Sequence, residues 1–412
     1  MGQNNCNANL IEKYFKLKSV WRRMVKPTSF LYLGMQKILF ALLLIASLMP
    51  KSTHAQKPPK VKNVLKTLQL ANQYYMDKWP DAGKETVTNK VRPSNLWTRA
   101  VYYEGLVGLY QVDPQQRYKD YMMQWGEKHR WGLWGGNTVR NADNQCCAQT
   151  YLDLYLMDGQ KNPERISSIT TAINNMKATS KIDDWHWIDA LQMAMPVFVK
   201  LGNIHKDTSY FNRMYAMYSF SKRNHGEKGL YDAAQHLWWR DKDFDPPYKE
   251  PNGENCYWSR GNGWVVAALV RTLDELPESD PHYQEYLQDY LNMCKALLPL
   301  QRTDGYWNVS LKDPGNYGGK EVSGTALFTY GFAWGIRKGL LDRKTYLPAV
   351  VKAWKSMAKE AVHENGKLGF VQGTGKEPKD GQPVSFNSTP DFEDYGLGCF
   401  LLAGSELIKL IR

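Results

Sequence analysis

Cysteine is scarce in this sequence, and its spacing excludes the common metal-binding motifs. Five cysteines follow residue 55; this odd number cannot pair completely, and no two have zinc-finger spacing. They are Cys146, Cys147, Cys256, Cys294 and Cys399. We expect buried thiols, although an exported chain can also form a disulfide. Phosphate-binding loops and dinucleotide-binding fingerprints are absent as well, so the sequence predicts neither a metal centre nor a cofactor.

A block of basic residues is also missing, although the net charge is +12. Residues 1–55 hold eight Lys or Arg and a single acid, which leaves 45 basic and 40 acidic residues in the remainder. A modest positive balance without clusters does not predict nucleic-acid binding. It is compatible with an acidic substrate.

The apolar run Ile38–Met49 has the features of a secretory signal. Lys37 precedes it, and Thr53-His54-Ala55 ends in a small-x-small pattern that predicts cleavage after Ala55. The run falls short of the about 20 residues that a spanning helix needs, although an uncleaved anchor is the alternative. We therefore expect a leader at 1–55, with Met35 as the translation start, and a single domain at 56–412. A periplasmic or secreted bacterial protein, without stable membrane insertion after cleavage, is predicted.

Strand alternation is scarce beyond residue 60, whereas the helical period recurs. Twelve helices are predicted: 61–76, 98–111, 115–130, 143–158, 163–179, 188–202, 207–221, 262–275, 283–302, 325–338, 344–362 and 395–411. Every second helix is apolar on most faces, and the others carry charge on one face. Because helices that are apolar all round are buried, this predicts an (α/α)6 barrel of six inner and six outer helices. An open solenoid would need a fixed repeat, which is absent.

The predicted inner helices begin with polar and aromatic residues. In an alternating barrel these starts meet at one mouth, where unpaired N–H groups favour an anionic ligand. The 15 Trp and 25 Tyr could supply flat faces for sugar rings, although a large core also needs such fillers. Acids at the starts could instead be helix caps.

Two of these acids, Asp143 and Asp189, stand at the same level of adjacent inner helices. Two carboxyls at one mouth can divide acid and base chemistry if their surroundings separate their pKa values. Trp185 and Trp187 precede Asp189, and an apolar wall raises a carboxyl pKa. Asp183 and Asp184 are nearby rivals in a predicted loop.

Several sequence blocks resemble glycoside hydrolase family 105, which is related to family 88. They begin with Trp187-Ile188-Asp189, followed by Met193-Ala194-Met195-Pro196. The most specific block is Trp258-Ser259-Arg260-Gly261-Asn262-Gly263-Trp264, and Gln301 to Trp307 and Glu321 to Ala326 follow in the same order. The resemblance covers roughly residues 65–410. Family 105 contains the unsaturated rhamnogalacturonyl hydrolases.

The resemblance implies an enzyme that removes a terminal 4,5-unsaturated uronic acid from lyase-generated oligosaccharides. Such enzymes hydrate the double bond: a carboxyl protonates carbon 4, water adds at carbon 5, and the hemiketal opens. By this match Asp189 is the acid/base and Asp143 the second carboxylate. The substrate-binding residues are expected to be Trp187, Trp258, Arg260, Trp264 and His236, with Arg260 reading the sugar carboxylate. The spacing around His236 is longer than in the family motif. His236 is therefore equally compatible with a structural role.

Three other functions remain open from the sequence. An inverting glycosidase uses two carboxylates on a similar barrel. A polysaccharide lyase creates the double bond instead of consuming it, and a sugar-binding protein would bind without turnover. The fold alone does not choose among them. The sequence also leaves the attached sugar, the linkage and the oligomeric state undetermined.

Overall fold

Helices follow one another through most of residues 57–87, 91–387 and 394–412, the residues that this computed structural model describes. The outer helices are α1 (Val61–Lys78), α3 (Gln116–Lys128), α6 (Glu164–Lys177), α8 (Ser209–Arg223), α10 (Tyr283–Leu297) and α12 (Arg343–Glu360). The inner helices are α2 (Trp97–Val112), α4 (Ala142–Gln145) continued by α5 (Ala148–Met157), α7 (Asp189–His205), α9 (Ser259–Leu273), α11 (Val322–Arg337) and α13 (Asp394–Ile411). Short 3-10 turns occupy His225–Glu227 and Leu298–Leu300.

Burial separates the two sets of helices as their sequences predict. Every residue of α11 from Val322 to Ile336 is buried, whereas α12 buries one face through residues such as Val350, Trp354 and Met357. A helix that is apolar all round is stable only when it is enclosed, and an amphipathic helix covers it from outside. The predicted (α/α)6 barrel is confirmed.

The ring closes where its first and last inner helices, α2 and α13, cross with almost no space between them. A Cβ placed on Gly105 would lie 2.7 Å from Gly398 Cα, and one on Gly398 would lie 2.5 Å from Val101 C. Only glycine permits so close an approach of two backbones. This contact between residues far apart in sequence distinguishes the closed ring from an open solenoid.

The inner helices all begin at one end of the barrel, and their caps differ. The Asn141 side chain accepts a hydrogen bond from Asp143 N (2.8 Å) and so caps α4. The Glu321 carboxylate accepts from Ser323 N and Gly324 N (both 2.8 Å) and caps α11. Capping therefore accounts for Glu321, but Asp189 is not a cap, because it follows the N-cap residue Ile188.

Two small hairpins stand among the helix connections. In the first, β1 (Thr86–Val87) pairs antiparallel with β2 (Val91–Arg92). In the second, β3 (Tyr231–Asp232) pairs with β4 (Leu237–Trp238). The second hairpin packs Leu237 and Trp238 into the core, and Trp238 N donates to Asn262 Oδ1 (2.8 Å) at the start of α9.

Some sequence predictions concern the N-terminal leader and a short segment before α13. The leader, the start at Met35 and the cleavage after Ala55 lie outside the described residues, as do residues 391–393. Within the described part of the chain, no helix has the length and apolarity needed to cross a membrane. The five cysteines predicted to be buried thiols are buried and free.

Candidate active site

A pocket of about 230 Å³ opens among the starts of the inner helices. Its lining includes both carboxyls that the sequence singled out, two arginines and two tryptophans. The lining residues are Arg92, Trp97, Asp143, Trp187, Asp189, Met193, Arg240, Thr374 and Gly375. A concave site with convergent charged groups between aromatic walls is the usual arrangement of a small-molecule or sugar site.

Asp189 is the first residue of α7 and is 8% exposed. Its Oδ2 atom is buried and has no hydrogen-bond partner among the described residues, where Arg240 forms an ion pair with it at 3.4 Å from Nε. Burial raises the pKa of this carboxyl above its ordinary value, and the charges of Arg240 and Arg260 oppose the rise. A buried oxygen without a partner, at the wall of a pocket, is available to a ligand.

Asp143 stands in the first turn of α4 and shares the pocket with Asp189. Burial raises the pKa of Asp143 to about 7, and the negative charge of Asp189 adds to the rise. One carboxyl of this pair can therefore hold a proton at neutral pH. The rival acids are engaged elsewhere, because Asp183 pairs with Lys181 and Asp184 pairs with Arg140.

The tryptophans predicted to bind substrate occupy different depths. Trp187 lines the pocket. Trp264 is fully buried behind Trp97, with the two rings edge to face at 6.3 Å between centroids. Trp258 is also buried, and its Nε1 donates to Gln372 Oε1 (3.0 Å). The structure thus brings Trp187 to the pocket, places Trp258 and Trp264 behind its wall, and adds Trp97.

Arg260 lies in the first turn of α9, where its guanidinium is buried and hydrogen-bonded within the protein. Its Nη1 donates to the Gln372 carbonyl (3.1 Å) and to the Tyr395 hydroxyl oxygen (3.2 Å), and its Nη2 donates to the Gly373 carbonyl (3.0 Å). The guanidinium also stacks 4.3 Å from the Trp258 ring. Arg260 holds the segment that carries Thr374 and Gly375 against the barrel, and it is not among the lining residues.

His236 is placed on the turn between β3 and β4. Its backbone has a left-handed φ of 55°, and its ring Nδ1 is hydrogen-bonded to the Tyr231 hydroxyl (2.8 Å). The side chain is half-buried and does not line the pocket. The substrate-binding role of His236 stays a prediction. In the structure its ring is hydrogen-bonded to Tyr231.

Sequence reasoning did not assign a role to Arg92, Trp97 or Arg240, all of which line the pocket. Trp97 carried a signal, since it opens an inner helix like the other aromatic starts. Arg92 belongs to a two-residue strand, and Arg240 to the loop after β4. Loops of this kind have no periodicity, so no pattern in the sequence points them toward Asp189.

The arrangement suits proton transfer to and from a sugar. Two carboxyls with raised pKa values provide an acid and a base, and the indole faces of Trp187 and Trp97 can cover the apolar faces of a ring. Among the described residues no three His, Cys, Asp or Glu side chains come together to hold a metal ion. The fold and the pocket define a carbohydrate-active enzyme.

Comparison with known proteins identifies the family. Residues 67–411 match the family described as Glycosyl Hydrolase Family 88, and the chain belongs to that family. The resemblance found in the sequence, to family 105 and the related family 88, is thereby confirmed, and the chain is a glycoside hydrolase. The match covers every inner helix and both pocket aspartates.

Individual relatives are similar over most of the chain. An unsaturated 3S-rhamnoglycuronyl hydrolase from Formosa agariphila is 32% identical over 334 residues, 76% of this chain and 84% of the relative. A solved family 88 glycosyl hydrolase from Bacteroides vulgatus is 33% identical, with a TM-score of 0.76 over 85% of this chain and 100% of the other. A solved protein described as a polysaccharide lyase is 32% identical, with a TM-score of 0.76 over 85% of this chain and 98% of the other.

Proposed function

We propose that this protein removes a terminal 4,5-unsaturated uronic acid from oligosaccharides that a polysaccharide lyase has produced. The observation that carries this proposal is the pair Asp189 and Asp143 in one pocket, with a buried Asp189 oxygen that lacks a hydrogen-bond partner within the described ranges. The family and the activity in the name of the Formosa agariphila relative support it. The cations Arg92 and Arg240 make the same pocket suitable for an acidic sugar.

In the proposed mechanism Asp189 donates a proton to carbon 4 of the unsaturated ring. Asp189, then ionised, takes a proton from the water that adds at carbon 5, so the group returns to its starting state. The hemiketal formed at carbon 5 opens, and the rest of the oligosaccharide leaves from carbon 1. Asp143 is the second carboxyl. Burial and the negative charge of Asp189 raise its pKa to about 7, so the two carboxyls can hold a proton between them at neutral pH.

The aromatic residues have separate proposed roles. Trp187 contacts the sugar ring directly, because it lines the pocket. Trp264 supports Trp97 from behind, and Trp258 supports the guanidinium of Arg260. Arg260 contributes to substrate binding through the wall segment that it holds, and His236 through the β3–β4 hairpin, which precedes Arg240.

A polysaccharide lyase is the second candidate, because one similar solved protein has that description. In a lyase a base removes the proton at carbon 5 and an acid protonates the leaving oxygen at carbon 4, so the double bond is created. The two reactions give opposite signals, since the conjugated unsaturated uronate absorbs ultraviolet light and neither its precursor nor its hydration product does.

The function is tested by incubating the protein with lyase-generated oligosaccharides and with their saturated counterparts. We expect ultraviolet absorbance to fall with the unsaturated substrates and no release of sugar from the saturated ones. An increase in absorbance with an intact polysaccharide would establish the lyase instead. Release of sugar from saturated oligosaccharides would indicate an ordinary glycosidase.

We also propose that the protein is exported and acts in the periplasm or outside the cell. The apolar run Ile38–Met49, the preceding Lys37 and the cleavage pattern that ends at Ala55 support this proposal. Residues 56–412 would then be the mature catalytic domain. N-terminal sequencing of the protein recovered from the host's periplasm or medium tests it: a mature start at residue 56 is expected, and retention of residues 35–55 would contradict cleavage.

A further inference from the structure

Arg240 is fixed beside Asp189 by contacts on both its backbone and its side chain. Its carbonyl accepts a hydrogen bond from Ile188 N (2.9 Å), the residue directly before Asp189. Its Nη1 donates to Asp241 Oδ2, and its Nε faces Asp189 Oδ2 at 3.4 Å. The loop after β4 and the start of α7 therefore hold the cation and the carboxyl in a fixed relation within the pocket.

The facing atoms of this pair are not satisfied by each other. Arg240 Nε and Asp189 Oδ2 are both buried, and neither has a hydrogen-bond partner among the described residues. A buried donor or acceptor without a partner is costly, and such atoms in native proteins are commonly completed by a ligand or water. Because Asp241 occupies Nη1, the Nε edge of Arg240 is the side that a ligand in the pocket can meet.

We propose that Arg240 binds the carboxylate of the unsaturated uronate, and that this carboxylate displaces Asp189 from Arg240 when the substrate enters. The proposal rests on the proposed function, because it assigns a residue to the acidic group of that substrate. Arginine suits the task, since a planar guanidinium binds a carboxylate with charge-assisted hydrogen bonds. Arg240 is thereby a specificity-determining residue.

The displacement prepares Asp189 for catalysis. The charged groups around Asp189 are Arg240, Arg260, Asp241 and Asp143, and Arg240 is the largest influence opposing the rise of its pKa. Once the substrate carboxylate occupies Arg240, Asp189 faces an added negative charge and loses its nearest counter-ion. Both changes favour the neutral acid, so Asp189 takes a proton from solvent and becomes the donor to carbon 4.

Arg260 is less suited to this role in the structure. Its Nη atoms already donate to the carbonyls of Gln372 and Gly373, and binding a sugar through them would leave the buried Gly373 oxygen without its donor. The Nε of Arg260, like that of Arg240, lacks a partner among the described residues, but Arg260 does not line the pocket. Arg240 gives up only a 3.4 Å contact with Asp189. The exchange of partners therefore costs less at Arg240.

The first test compares two substrates in two enzymes. The substrates are an unsaturated uronide and its methyl ester, which lacks the charge. The wild type is expected to prefer the acid over the ester by about 10- to 100-fold in kcat/KM, the effect of one hydrogen bond to a charged group. Arg240→Gln is expected to lose this preference, mainly through a higher KM for the acid.

The matched control is Arg165→Gln, since Arg165 pairs with Asp158 and does not line the pocket. It should keep the wild-type preference. Arg240→Lys keeps the positive charge but lacks the planar guanidinium with its paired N–H donors, so it should retain part of the preference. It keeps the test informative if Arg240→Gln misfolds. An unchanged acid-to-ester ratio in both Arg240 variants, or loss of the ratio in Arg260→Lys instead, would overturn the proposal.

The second test needs no turnover. Calorimetric titration with a saturated uronic acid methyl glycoside at pH 7, in two buffers of different ionisation enthalpy, counts the protons taken up on binding. Net uptake is expected in the wild type and should be smaller in Arg240→Gln and Asp189→Asn. Equal uptake in all three proteins would contradict the exchange. If the wild type binds in this manner but turns over no unsaturated substrate, the proposed function fails and the role of Arg240 as a carboxylate-binding residue stands.

Discussion

At the scale of single residues, Asp189 differs from four other acids near the mouth, whose carboxylates are occupied by a helix cap or a cation. Glu321 caps a helix, Asp183 and Asp184 are paired with cations, and Asp394 forms a buried pair with Arg99 (2.9 Å). The Oδ2 atom of Asp189 accepts no hydrogen bond from the part of the chain that the structure describes. The Asp189 carboxylate is therefore available to bind a ligand and is not needed to stabilise the fold.

Replacing Asp189 should remove activity without unfolding the protein. We predict that Asp189→Asn lowers kcat by on the order of 10²–10⁴-fold, the usual contribution of a general acid or base. The melting temperature should stay close to that of the wild type, because asparagine has nearly the same shape. Asp183→Asn, which alters an exposed carboxyl paired with Lys181, is the control and should keep full activity. Activity of Asp189→Asn within a few-fold of wild type would remove Asp189 from the mechanism.

Replacing Arg260 should mainly affect stability. Arg260→Ala would leave the Gly373 carbonyl without its donor and the Gln372 carbonyl with the Tyr395 hydroxyl alone, which costs about 1–3 kcal/mol in the free energy of unfolding. Chemical denaturation measures this loss. A variant of wild-type stability with a much higher KM for the acid substrate would show that Arg260 binds the sugar directly.

The sequence predicted Asp143, Asp189 and Trp187 in one pocket because helix starts in a barrel meet at one mouth. It did not predict Arg240, whose position depends on a loop that docks onto Ile188 N through a tertiary hydrogen bond. It placed Arg260 at the mouth, but the contacts of Arg260 with Gln372 and Gly373 join segments over 100 residues apart. Contacts of that range leave no signal in local spacing.

At the scale of helices, the order and the alternation of inner and outer elements followed from the sequence. The boundaries were less accurate: α9 and α11 begin at Ser259 and Val322, three residues before the predicted starts. The side chains there are polar or small, so the hydrophobic period does not reach them. The earlier start brings Arg260 into the first turn of α9 and so sets its direction.

The crossing of α2 and α13 should not tolerate a larger residue. We predict that Gly105→Ala and Gly398→Ala each destabilise the protein by about 1–3 kcal/mol, the typical effect of overpacking a core. Gly108→Ala, on the same helix as Gly105, is the control, since its Cβ would lie 3.4 Å from Leu402 Cδ2, an ordinary contact. Equal denaturation midpoints for the Gly105 and Gly108 variants would show that the two helices can separate without cost.

At the scale of the whole molecule, a polar network along the barrel axis connects several inner helices. Gln192 Nε2 donates to Glu104 Oε2 (2.8 Å), and Cys146 Sγ donates to Glu104 Oε1 (3.2 Å). Gln149 Nε2 donates to the Gln192 carbonyl (2.7 Å). Arg271 Nε donates to Gln149 Oε1 (3.0 Å). Burial of this network raises the pKa of Glu104 to about 7.

This raised pKa makes the stability of the barrel depend on pH. Glu104 ionises more readily in the unfolded chain, so the folded state binds more protons and its stability falls as pH rises from about 4.5 to about 7. We predict that Glu104→Gln, which stays neutral, gains stability relative to the wild type across this range, by on the order of 3 kcal/mol at its upper end. Denaturation at pH 4.5 and pH 8 checks this. A stability difference between the two proteins that is the same at both pH values would contradict it.

The measurement that tests the central claim most directly is the position of solvent isotopes in the released sugar. We expect turnover in heavy water to place deuterium at carbon 4, and turnover in ¹⁸O-labelled water to place the label at carbon 5, because hydration adds a proton and a hydroxyl across that bond. Unlabelled product held in the same solvents for the same time measures exchange and is subtracted. If ¹⁸O appears at carbon 1 and no enzyme-dependent deuterium appears at carbon 4, hydration is contradicted and direct attack on the glycosidic bond is identified.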